Sequence, residues 1–122
     1  MTVTERFIGG VTVLDVTGPI VVTDGGASQF GTRVRHALHQ GHIQVVVNLG
    51  AVPYIDSTAL GELVRTFITA SQMGGGVKLL HVGSRVRNLL TVAKLLPVFD
   101  VFDDEAAALA SFGETKIPVA SP

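Results

Sequence analysis

The run Val45-Val46-Val47, inside the segment His42 to Leu49, constrains this chain more than any other feature. Three consecutive β-branched residues show no apolar–polar alternation, so both faces of a strand here must be covered. Strands buried on both faces belong to parallel sheets flanked by helices. The residues that follow supply such a helix: Leu60, Leu63, Val64, Phe67, Ile68 and Ser71 recur at i, i+3, i+4, i+7, i+8 and i+11, which predicts an amphipathic helix. Gly74-Gly75-Gly76 stops it, and Val77 to Val82 reads as the next short strand. Ser84 is expected to cap a third helix carrying Val86, Leu89, Leu90, Ala93 and Leu96 and ended by Pro97. Val98 to Phe102 is then a last strand, and Asp103-Asp104-Glu105 sets acid against the positive end of a final helix over Ala106 to Phe112.

Upstream, Thr2 to Ile8 and Val11 to Thr17 largely alternate around Gly9-Gly10, a pair suited to a hairpin turn that needs positive φ. Thr17-Gly18-Pro19 breaks the second strand. After the loop Thr23-Asp24-Gly25-Gly26, Phe30, Val34, Ala37 and Leu38 mark a first helix closed by Gly41. The expected fold is therefore α/β: one domain, order β-β-α-β-α-β-α-β-α, with a mixed, mostly parallel sheet, right-handed crossovers and an N-terminal hairpin. The domain is expected over residues 1–112, with 113–122 a disordered tail rich in Pro and polar residues.

The 122 residues suffice for one such domain. There is no Cys, so disulfides and thiolate metal sites are excluded. The 9 basic and 10 acidic residues leave a net charge of −1, which gives no field for attracting nucleic acid or an anionic membrane. Mean hydropathy is high at +0.47. Even so, no apolar run approaches the ~18 residues of a membrane helix. Glu5 and Arg6 precede any apolar stretch, so no secretory leader is expected and a cytoplasmic setting is.

Catalytic groupings are hard to find. There is no phosphate-binding G-x-x-x-x-G-K-[ST] loop and no G-x-S-x-G elbow. Gly25, Gly26 and Gly31 do not form a dinucleotide fingerprint. His36, His39 and His42 read as surface residues rather than metal ligands, with Gly41 breaking the helix before His42. The pairs Arg33/Arg35 and Arg85/Arg87 alternate with apolar residues, as solvated helix faces do, with a partner or phosphate contact as the other reading. No metal, no cofactor and no catalytic residue is assigned, and the chain is not expected to be an enzyme.

One stretch stands out. In "VPYIDSTALG", Val52 to Gly61, three polar residues stand where the central strand hands over to its helix. Asp56, Ser57 and Thr58 are all good N-caps, but a helix needs one. In a parallel sheet the loops at the carboxyl ends of the strands gather on one rim, where sites are built. A hydroxyl there is presented at a helix N-terminus, and its phosphorylation would add about −1.5 to −2 charge. The helix dipole tolerates that charge, whereas a partner docked on the same rim does not.

"VVVNLGAVPYIDSTALGELV", Val45 to Val64, resembles the strand–Asp-Ser–Leu-Gly–helix signature of STAS domains, specifically the anti-sigma factor antagonists. The resemblance continues through Gly74 to Phe112 and back to Thr17-Gly18-Pro19-Ile20. It implies a domain that, unphosphorylated, binds a serine-kinase anti-sigma factor and is switched off when that kinase phosphorylates Ser57, with Thr58 the weaker alternative acceptor. A metal-dependent serine phosphatase would reverse the step, and ATP and Mg²⁺ would belong to those partner enzymes. The implied partner-binding set is Pro19, Ile20, Val21, Asp24, Asp56, Ser57, Thr58 and Ala59. Two positions depart from the family pattern. Ala59 stands where the signature usually has Gly, and the loop after Gly18 lacks an acidic residue near position 21. The alternative role implied is a STAS subunit of a lipid-transport or stressosome-like signalling complex.

Overall fold

The structure is a computed structural model that describes residues 1–120, with side chains through Phe112. Its elements are β1 (Thr2–Ile8), β2 (Val11–Thr17), α1 (Gly26–His39), β3 (Gln44–Ala51), α2 (Ser57–Gln72), β4 (Gly76–Leu80), α3 (Ser84–Val92), a 3₁₀ turn (Leu96–Val98), β5 (Val101–Phe102) and α4 (Glu105–Ala120). The order is the one the sequence predicts. The expectation of a disordered tail over 113–122 falls on residues whose side chains lie outside the described set.

The strands form one sheet in the order β1-β2-β3-β4-β5. β1 and β2 pair antiparallel through a turn in which Gly9 and Gly10 both have positive φ, at 55° and 83°. That backbone twist matches the twist of the flanking strands, and glycine takes it without strain. All later pairings are parallel. β3 lies at the centre, and its apolar run serves both faces: Val45 and Val47 join one buried cluster and Val46 the other. The first cluster packs Leu14, Val45, Val47 and Leu79 against Phe30, Val34 and Leu38 of α1, Leu60 and Leu63 of α2, and Val86 and Leu90 of α3. The second packs Val11, Val13, Val46 and Leu80 against Ala108 and Phe112 of α4. Each fully buried Val or Leu contributes about 1.5–3 kcal/mol, so covering both faces of β3 sets the architecture.

Four local expectations are corrected. Ser84 does not cap α3: Gly83 occupies that position without a side-chain bond, and Ser84 is the first helical residue. α3 ends at Val92, before Ala93 and Leu96, and Lys94 turns the chain at φ 60°. The last strand shrinks from Val98–Phe102 to Val101–Phe102, because Pro97 fits a 3₁₀ turn and Phe99 swings inward to meet Phe67 edge-on at 5.2 Å. The strand after Gly76 ends at Leu80, where His81 adopts φ 57°.

The inward face of α2 is also rotated from the apolar stripe. Ala59, Leu60, Glu62, Leu63, Thr66 and Ala70 are buried, while Ile68 is 48 % exposed and Ser71 is exposed. The helix packs on α1 as well as on the sheet, so it buries two polar residues that hydropathy places outside. Glu62 pairs with Arg35 of α1 at 3.5 Å and with Arg65 at 3.6 Å, and the Thr66 hydroxyl donates to the Leu63 carbonyl. Arg35 is therefore not on a solvated face but bridges α1 and α2.

Candidate partner-docking site at the strand ends

Because β2 to β5 run parallel, all four helices begin on the rim at the carboxyl ends of the strands, and the loops after β2 and β3 lie side by side there. Ile20 and Ile55 form a parallel bridge. The Ile20 amide donates to the Tyr54 carbonyl and the Asp56 amide to the Ile20 carbonyl, both at 3.2 Å. The loop after β2 is thus held as a strand-like extension beside the start of α2.

Asp56 fastens this arrangement. It is the N-cap of α2, in extended conformation, and its Oδ1 accepts from the Ala59 amide at 2.8 Å. Its Oδ2 accepts from the Val22 amide, also at 2.8 Å. One carboxylate therefore satisfies an orphan donor of the helix and anchors the neighbouring loop. The Ala59 and Val22 amides hold the Asp56 carboxyl below the usual carboxylate range, because they stabilise its charged form.

With Asp56 serving as the cap, Ser57 and Thr58 are released from that duty. Both are exposed at the first and second positions of α2. Neither hydroxyl makes a hydrogen bond to a described residue. Pro19 and Val21 are half-buried and Asp24 is exposed, with its Oδ1 accepting from the Gly26 amide at 2.8 Å. Ile20 and Ala59, by contrast, are 2 % and 1 % exposed. They offer no surface to a partner and support the loops from beneath. Ala59 turns its methyl into the core, so its departure from glycine does not crowd the outer side of the rim.

The rim also displays residues the sequence reading did not assign to it. Val22 is 53 % exposed and Tyr54 37 %. The guanidinium of Arg85, on the first turn of α3, lies over the Tyr54 ring with 4.9 Å between its carbon and the ring centroid. Arg85 stood out in the sequence only as half of a basic pair with Arg87. The two now separate, since Arg87 faces Asp103 at 3.9 Å while Arg85 has no carboxylate partner among the described residues. Only the packing of the β3–α2 loop against the start of α3 brings Tyr54 and Arg85 together, and no local pattern encodes it.

Residues 3–108 match the model of the STAS domain. The chain belongs to the STAS domain family. Among its relatives, this STAS domain is 27 % identical over 118 residues to BtrV of Bordetella bronchiseptica, provisionally named an anti-sigma factor antagonist; the match covers 97 % of this chain and 99 % of that one. Its fold is shared with a Thermotoga maritima protein provisionally described in the same way, with a TM-score of 0.83 at 22 % identity over 90 % of this chain and 93 % of that one. It is also shared with the phosphorylated form of the Bacillus cell fate determinant SpoIIAA, with a TM-score of 0.71 at 16 % identity over 90 % and 98 % of the two chains.

Proposed function

We propose that this STAS domain is an anti-sigma factor antagonist controlled by phosphorylation of Ser57. Unphosphorylated, it binds a serine-kinase anti-sigma factor at the rim and so frees the sigma factor. The kinase esterifies Ser57, the complex weakens, and a metal-dependent serine phosphatase restores the hydroxyl. The domain itself binds rather than catalyses, and it acts in the cytoplasm, where sigma factors work. No helix among the described residues is long and apolar enough to cross a membrane.

The observation that carries this reading is the division of labour between Asp56 and Ser57. Asp56 accepts the cap and loop bonds, and Ser57 stands beside it exposed and unengaged. The full-length likeness to a chain named as an antagonist supports the same reading. A phosphate on Ser57 would sit at the positive end of α2, so the fold accommodates it. It would also place about −1.5 to −2 charge beside the Asp56 carboxylate on the surface a partner must cover. A penalty of about 3 kcal/mol is roughly a hundredfold in affinity.

Incubation with the kinase and ATP, followed by mass spectrometry, tests the site. Phosphate is expected on Ser57, and phosphate confined to Thr58 would reassign the switch. Ser57→Ala is expected to fold, to bind the partner and to resist inactivation. Ser57→Asp is expected to bind at least ~10-fold more weakly. Equal affinities of the two variants would remove the switch.

A further inference from the structure

We propose that Arg85, held in place by Tyr54, is a charged contact of the docking rim and pairs with a carboxylate on the anti-sigma partner. This rests on the partner-binding reading above and names the chemistry of the surface that fits it.

The charges around Ser57 are unevenly satisfied. Asp56 accepts two backbone amides and Asp24 accepts a third, so the rim's acids are engaged within the fold. Arg87 faces Asp103. Arg85 is exposed and has no carboxylate partner among the described residues, and its one specific contact is the face of Tyr54. Such cation–π stacking orients a guanidinium while leaving its N–H groups free to bond elsewhere. The charge adds nothing to α3, whose first turn contains no acid and whose dipole disfavours a cation there. Arg85 is thus preorganised for something outside the domain.

The surroundings narrow the occupant to an acidic protein surface. Val22, on the loop bonded to Asp56, and Tyr54, in the loop that leads into α2, present exposed apolar area on the same rim. A nucleic-acid backbone would require several cations, and with Arg87 paired the site offers one among the described residues. A carboxylate set in an apolar patch matches one guanidinium beside Val22 and Tyr54, and bidentate Arg–carboxylate pairs give both strength and geometry. On the same rim, such a carboxylate would be attracted by Arg85 and repelled by a phosphate on Ser57, the sign that the proposed switch requires.

The test measures binding of the purified cognate serine-kinase anti-sigma factor to wild type, Arg85→Ala, Arg85→Lys, Arg85→Glu and Tyr54→Ala across a range of salt. Wild type should bind. Arg85→Ala should bind about tenfold more weakly and Arg85→Glu about a hundredfold, with partial recovery in Arg85→Lys and a flatter salt dependence in Arg85→Ala. Tyr54→Ala should lose part of the affinity through the freed guanidinium. Thermal midpoints should stay within a degree or two of wild type, because Arg85 makes no ion pair among the described residues. Arg85→Glu binding as wild type does would overturn the Arg85 assignment and leave the antagonist reading standing. A wild type that fails to bind the partner would overturn both.

Discussion

Asp56 and Ser57 are adjacent and chemically similar as helix caps, and geometry engages only the first. The Asp56 side chain reaches both the Ala59 and Val22 amides, which a serine hydroxyl is too short to do. Asp56→Ala is therefore expected to cost about 1–2 kcal/mol in urea unfolding, the usual value of a lost cap, and to speed hydrogen exchange at the Val22 amide. Asp56→Asn should be milder, since its carbonyl can still accept one bond. The pH dependence has a definite sign. The folded carboxyl is depressed, so its stabilisation is present above the unfolded value of about 3.9 and is lost as pH falls through the folded value. Asp56→Asn should flatten that part of the acid limb. The sequence shows three eligible caps in a row, and nothing in it reveals that the β2–α1 loop arrives beside them to select Asp56.

At the scale of elements, periodicity locates every strand and helix but misjudges how several of them end and face. α2 is the instructive case, since Glu62 and Thr66 break the apolar stripe yet are buried. The pairing of Glu62 with Arg35 and Arg65, and the Thr66–Leu63 bond, make that burial acceptable. Of these partners, Arg65 and Leu63 lie on α2 itself, and Arg35 lies outside any local sequence window. The turn from α2 to β4 shows the opposite, a feature readable in outline as Gly74-Gly75-Gly76 whose necessity is evident only in three dimensions. A Cβ on Gly75 would stand 1.9 Å from the Ile43 carbonyl oxygen, a backbone atom that cannot rotate away. Gly75→Ala is expected to lower stability by about 1–3 kcal/mol or more, as overpacking does. Gly74 sits in open space with φ 84°. Chemical denaturation of Gly75→Ala with an unchanged midpoint would contradict the packing described for this turn.

Across the whole molecule, the two faces of the sheet carry different features. On the α4 side, Arg6 of β1 bonds Asp15 of β2 at 2.5 Å and 3.0 Å and Glu105 of α4 at 2.6 Å and 3.2 Å, while Asn48 donates to Asp15 at 2.8 Å. This network ties the hairpin, the central strand and the last helix together. Hydrogen bonds from Arg6 hold the Asp15 and Glu105 carboxyls below their ordinary values, and both acids raise that of Arg6. The carboxylate stabilisation is present above the unfolded values of about 3.9 and about 4.3 and disappears as pH falls through the folded ones. The groups are partly exposed, so solvent screens the network to about 1 kcal/mol or less at neutral pH. Arg6→Gln should accordingly show its largest loss in urea midpoint near pH 7, a loss that narrows as pH falls below the unfolded values and through the folded ones. The opposite face carries α1, α2 and α3, and their shared rim holds Ser57, Val22, Tyr54 and Arg85 with no demand from the core on any exposed hydroxyl or guanidinium. The proposed switch therefore requires no change of fold. Its most direct test is calorimetric titration of the serine-kinase anti-sigma factor with the domain bearing phosphate on Ser57 and with the same domain unmodified. The account predicts at least ~10-fold weaker binding for the phosphorylated form, with both forms equally folded by circular dichroism. Equal affinity of the two forms would contradict it.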